Sequence, residues 1–61
     1  SDHHGPMDRL DSGDRQLIRL RFFAGRTQSE TARVLGTTQV QISRRERRIL
    51  KWMREQLLEA L

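Results

Sequence analysis

Residues 27–47 constrain this chain more than any other stretch, because several local devices fall there at fixed spacing. Thr27 and Glu30 are spaced as a capping box. In that arrangement the hydroxyl accepts from the third amide of a helix, and the carboxylate reaches back to the first. A helix over 28–35 is therefore expected. Ala32 and Leu35 lie three apart and share one of its faces. Gly36 supplies a left-handed C-cap, a conformation that most residues resist. Thr38 then stands as the N-cap of a new helix, and Ile42, one turn inside it, can fold back onto Ala32. A small residue where two helices cross, a glycine at the turn and an apolar residue in the angle are the logic of a helix-turn-helix. The second helix of such a unit enters the DNA major groove.

The flanking sequence completes an all-α, small three-helix domain with a long C-terminal recognition helix. Asp11 or Ser12 can cap a first helix, with Asp14 favourable in its first turn. Leu17, Leu20 and Ala24 make one apolar stripe, Ile18 and Phe22 widen it, and Arg15, Arg19 and Arg26 mark the polar side. Gly25 is placed to end this helix near residue 24. So many apolar residues between 17 and 23 exceed one narrow stripe. Either both faces pack inside the domain, the simpler expectation, or part of the helix faces a partner. The third helix is expected from Gln39 to about Ala60, with no proline or glycine to break it, a span of about 30 Å at ~1.5 Å per residue. Its core stripe is Ile42, Ile49, Met53 and Leu57, with Glu46 on the same line. Leu50, Leu58 and Leu61 form a neighbouring line, and Trp52 is expected to be half-buried. Glu30 and Glu46 read best as a cap and a helix-pairing residue.

Sixty-one residues allow one small domain, whose core supplies roughly 3–5 kcal/mol net. Ser1 to Met7 carries no apolar pattern and reads as a tag remnant or flexible leader, leaving 8–61 as the domain. With no cysteine there is no disulfide or thiolate metal site. The adjacent His3 and His4 near the N-terminus are poor evidence of a metal site, so no metal and no cofactor is expected. No apolar run approaches the ~18–20 residues that span a bilayer, and a cytoplasmic, membrane-free protein is the expectation. A catalytic role is not expected either, because there is no Gly-rich phosphate loop, no ordered histidine and no carboxylate pair in a plausible cleft.

Charge points to a polyanion. Twelve Lys and Arg against eight Asp and Glu give a net +4. Arg44, Arg45, Arg47, Arg48, Lys51 and Arg54 crowd into eleven positions with only Glu46 against them, which puts the positive field on the second half of the chain. A charge run alone is equally what a solvated helix face carries, so the pattern of types decides. If Ile42, Ile49 and Met53 point inward, Gln39, Val40, Ser43, Arg44 and Arg47 fall on the opposite face. Gln39 can bond adenine bidentately, Arg44 or Arg47 can bond guanine or a phosphate, and Val40 suits a thymine methyl. Gln41 lies to the side. Thr27, Gln28 and Thr38 sit at helix N-termini that suit backbone phosphates, and Arg33, Arg48 and Lys51 are candidate phosphate clamps.

These residues carry a resemblance. Arg19-Leu-Arg-Phe-Phe-Ala-Gly-Arg-Thr-Gln-Ser-Glu, followed by Val34-Leu-Gly-Thr-Thr-Gln-Val-Gln-Ile-Ser-Arg, closely resembles region 4 of bacterial RNA polymerase sigma factors of the sigma-70 family. It looks most like the sporulation and general-stress branch, the sigma-F, sigma-G and sigma-B type. The similarity covers about Leu10 to Leu57. It implies the C-terminal domain of an alternative sigma factor that reads the −35 promoter element as double-stranded DNA and acts as a monomer within polymerase. It also implies docking on the flap of the polymerase beta subunit, through the first helix around Ile18 and Phe22 and the C-terminal part of helix three. Anti-sigma factors often cover such surfaces. Gln39, Val40, Ser43 and Arg44 match the family's base-facing positions, with Arg47 one turn further.

Two positions depart from the family pattern. Thr31 stands where Ile or Val is usual, and Arg45 where Leu or Ile is usual. Arg45 is expected to run its stem over the core edge and to place its head in solvent, near Glu46 or near a phosphate. Two other readings remain from the sequence: a protein-interaction module with little DNA affinity of its own, and a helix-turn-helix regulator of the LuxR or resolvase type. The long final helix and the Thr-Gln-Ser-Glu signature disfavour the latter.

Overall fold

A computed structural model describes residues 9–61. The leader expected over residues 1–7, with His3 and His4, lies outside the described residues. Helix α1 (Ser12–Ile18) runs directly into a π-helical segment (Arg19–Phe23), and α2 (Gln28–Leu35) and α3 (Gln39–Ala60) follow. The described residues form three packed helices, the first ending in the π-helical segment, with no strand.

Each helix starts where a side chain takes an orphan amide. The Asp11 carboxylate, rather than Ser12, accepts from the Asp14 amide at 2.8 Å and caps α1. Both halves of the expected capping box form at α2. The Glu30 amide donates to Thr27 Oγ1 at 3.0 Å, and the Thr27 amide donates to Glu30 Oε1 at 2.9 Å. The bond that its carboxylate accepts from the Thr27 amide, with the Thr27 hydroxyl beside it, holds the Glu30 carboxyl below its usual range. Thr38 Oγ1 accepts from the Gln41 amide at 3.2 Å and opens α3. Gly36, at φ 71°, turns the chain between α2 and α3, while its amide and that of Thr37 both donate to the Ala32 carbonyl.

The core is Leu17, Ile18, Ala32, Ile42 and Ile49, with Leu10, Leu35 and Met53 packed against it. Ala32 lets α2 and α3 approach, and Ile42 fills the angle as its position predicts. Trp52 is half-buried, and Arg9 donates to the Gln56 side chain at 2.7 Å, so α3 is tied to the start of the fold through residue 56. Beyond that the expected stripe fails: Leu57 is 60 % exposed and Leu58 is open, because among the described residues no element lies opposite the last turn.

The first helix departs most from expectation. Its second half closes with a bond from the Ala24 amide to the Arg19 carbonyl at 2.8 Å, spanning five residues instead of four. Such a turn takes more residues per revolution, so a stripe extrapolated at 3.6 residues no longer tracks the inner face. Leu20 and Arg21 are half-buried, whereas Ala24 is exposed. Phe22 is 52 % and Phe23 79 % exposed, so the apolar excess does not all pack inside. Ile18 follows the expectation that it widens the core stripe, and not the partner-facing one that the resemblance implies. At 4 % exposure it belongs to the core, and of the pair Ile18 and Phe22 only Phe22 is open to a partner.

Thr31 is fully buried, and its hydroxyl has no hydrogen-bond partner. Burying an unpaired hydroxyl costs on the order of 1–3 kcal/mol, and valine has the same shape without it. Thr31→Val is expected to stabilise the domain by about 1 kcal/mol. In thermal denaturation that is a rise of roughly 4–8 °C in Tm.

Candidate nucleic-acid interface

The two N-termini of the helix-turn-helix lie side by side. Gln28 opens α2, Gln39 opens α3, and the Gln39 amide nitrogen donates to the Gln28 side-chain carbonyl. From there α3 presents Val40, Arg44 and Arg47 on the side away from Ile42 and Ile49, all exposed. Gln39 is exposed on the flank toward α2. Ser43, expected on the open face, is half-buried on that same flank, because its position lies closer to the Ile42–Glu46 line than to Arg44. Gln41 and Arg48 are exposed on the other flank; Arg48 lines a hollow with Asp11, Asp14 and Trp52 at the start of α1. Thr27 and Thr38 are exposed caps, so each hydroxyl is at the surface beside its helix N-terminus. Arg33 and Lys51 are exposed as well.

Glu46, the single acid in the basic run, is turned away from this face. It is 8 % exposed and bound by Arg21, whose Nε donates to Oε2 at 2.8 Å and whose Nη2 lies 3.4 Å from Oε1. Arg21 also donates to the Arg26 carbonyl at 2.6 Å, and its guanidinium carbon stands 5.7 Å from the centre of the Phe22 ring. Gln28 Nε2 reaches Glu46 Oε2 at 3.4 Å. The acid is thereby neutralised inside, and the outer face of α3 stays positive.

Arg21 is the residue that the sequence reading missed. The signal was present: Arg21 lies four residues after Leu17, and Glu46 four after Ile42, so two opposite charges sit on inward lines. Arg45 also differs from expectation. It bonds neither solvent alone nor Glu46; its Nη2 donates to Asp14 at 2.8 Å and its Nε to the same oxygen at 3.3 Å. Asp14, in the first turn of α1, is a ready carboxylate, and Gly13 leaves room for the head. A Cβ on residue 13 would meet Arg45 Nη2 at 3.1 Å.

The family described as Sigma-70, region 4 matches residues 7–55. The chain belongs to the sigma-70 region 4 family. The RNA polymerase sigma-F factor of Priestia megaterium is 44 % identical over 48 residues, which cover 79 % of this chain and 19 % of that protein. The sigma-G factor of Bacillus subtilis (strain 168) is 39 % identical over 51 residues, 84 % of this chain and 20 % of the relative. The sigma-B factor of the same strain is 36 % identical over 50 residues, 82 % and 19 %. The chain thus spans about a fifth of the length of these relatives. No solved structure matches it. A region 4 domain is a non-catalytic, DNA-binding module of transcription, and the basic face of α3 is in keeping with that role.

Within this region 4 domain, the Arg21–Glu46 pair has side chains only 24 % and 11 % exposed. Removing one partner of a fully buried pair costs roughly 3–5 kcal/mol, because the other charge is left bare. With the residual solvent screening here, Arg21→Met is expected to cost about 2 kcal/mol in urea denaturation. Combining it with Glu46→Met should restore most of that loss, since no buried charge then remains.

Proposed function

We propose that this domain reads the −35 promoter element as double-stranded DNA, as the C-terminal domain of an alternative sigma factor. The observation that carries the reading is the exposed set at the start of α3: Gln39, Val40, Arg44 and Arg47, on a helix that leads out of a helix-turn-helix. Two amide- and guanidinium-bearing types able to bond base edges bidentately alternate there with an apolar side chain that meets thymine methyls. Thr27 and Thr38 hold the neighbouring phosphates at the two helix N-termini, and Arg33, Arg48 and Lys51 add phosphate contacts. The relatives' names place each of them with RNA polymerase.

Fluorescence anisotropy with labelled duplexes at two salt concentrations tests this. Binding is expected to weaken steeply with salt and to favour a −35 element over a scrambled duplex. Replacing Gln39 and Arg44 together by alanine should abolish the preference while leaving the salt-driven part. Equal binding of both duplexes by the unmodified chain would remove base reading from the account.

The second reading, a protein-docking module, rests on Phe22 and Phe23, which are exposed beside the half-buried Leu20. Isolated apolar residues are ordinary, but two adjacent exposed phenylalanines are not. They suit the flap of the polymerase beta subunit, or an anti-sigma factor competing for it. Phe22→Ser with Phe23→Ser should leave duplex binding unchanged and reduce binding to a beta-flap fragment about tenfold or more in a pull-down titration. Retention of full flap binding would place that contact elsewhere, on α3.

A further inference from the structure

Gln28, Gln39 and Glu46 form a chain of side chains in which every donor and acceptor has only one possible direction. Glu46, ionised and paired with Arg21, offers acceptors only. Gln28 must therefore turn its amide nitrogen toward Glu46, which it meets at 3.4 Å, and its carbonyl oxygen toward Gln39. Gln39 in turn must give one N–H to that oxygen. An amide orientation, ordinarily free to flip, is thus dictated through two links by a carboxylate on the inner line of the same helix. What remains on Gln39 is one N–H and the carbonyl oxygen, and the side chain is exposed.

We infer that Gln28 is a specificity-determining positioning residue: held by Glu46, it fixes Gln39 so that the amide can match adenine and mismatch guanine. Adenine presents a donor, N6–H, beside an acceptor, N7. Guanine presents two acceptors, O6 and N7. A Gln39 amide locked with its oxygen outward pairs with the first pattern and sets oxygen against oxygen in the second. A free glutamine could rotate to offer its N–H groups to guanine, and would lose more rotamer freedom on binding. This inference rests on the reading that the start of α3 enters the major groove.

The test is enrichment of bound sequences from a pool of randomised duplexes, run with the 61-residue chain, Gln39→Ala, Gln28→Met and the double variant. Thermal melting is followed for each. Gln28→Met keeps the length of the side chain and removes its polar atoms. It is expected to cut adenine-over-guanine discrimination roughly 5- to 10-fold at the same base pair that Gln39→Ala relaxes, and at no other. The double variant should match Gln39→Ala alone. Glu46→Gln, whose amide no longer dictates the direction of Gln28, should relax the same base pair. A uniform loss across all sequences in Gln28→Met, or a loss that adds to that of Gln39→Ala, would make Gln28 a phosphate contact and overturn the inference while groove reading stands. If Gln39→Ala leaves every base preference intact, the inference and the groove reading on which it rests both fall.

Discussion

A charge pair sets how the helices meet, beside the core that drives them together. Arg21 and Glu46 join the π-helical segment to α3, and the same two side chains reach the linker at the Arg26 carbonyl and the start of α2 at Gln28. Apolar contacts among Leu17, Ile18, Ala32, Ile42 and Ile49 drive association but are non-directional, so they tolerate small slides of one helix along another. A guanidinium that must satisfy a carboxylate and a backbone carbonyl at once does not. The net stability from such a pair is modest, because two charges have to leave water. Its contribution is to select one arrangement of three short elements, and with it the position of the helix that carries the basic face.

The two departures from the family pattern are accommodated in different ways. Thr31 is simply tolerated: it fills the space of a branched apolar residue and leaves a hydroxyl without a partner. Arg45 draws in other residues. Its head is received by Asp14, and it passes so close to Gly13 that a side chain there would have to push it aside. A position usually filled by an apolar residue has become a second tie between α3 and the first turn of α1, with an acid and a glycine serving it.

What the sequence made legible follows from the range over which each interaction acts. The helix-turn-helix was readable because its caps are local: Thr27 with Glu30, Gly36, and Thr38 each act within a few residues. The identity of the exposed face of α3 was also local, set by helix period, though Ser43 shows that period alone does not resolve the flanks. The π turn was not legible, since nothing in Arg19–Phe23 marks it. The inward placement of Arg21 was missed although its spacing from Leu17 marks it, because its partner Glu46 stands 25 residues away. Arg45 finding Asp14, 31 residues earlier, was hidden for the same reason: in a chain with eleven arginines, sequence does not say which acid each one meets.

Helix α3 runs unbroken for 22 residues, about 33 Å from end to end at ~1.5 Å per residue. The core grips it from Ile42, one turn inside its start, to Met53, and leaves its last turn, with Leu57 and Leu58, exposed. It is therefore a lever with a fixed fulcrum. A tilt of about 5° about Ile42 displaces the far end, roughly 27 Å away at ~1.5 Å per residue, by about 2 Å. An angle imposed at the near end becomes a position at the far end, delivered without any change in the backbone between them.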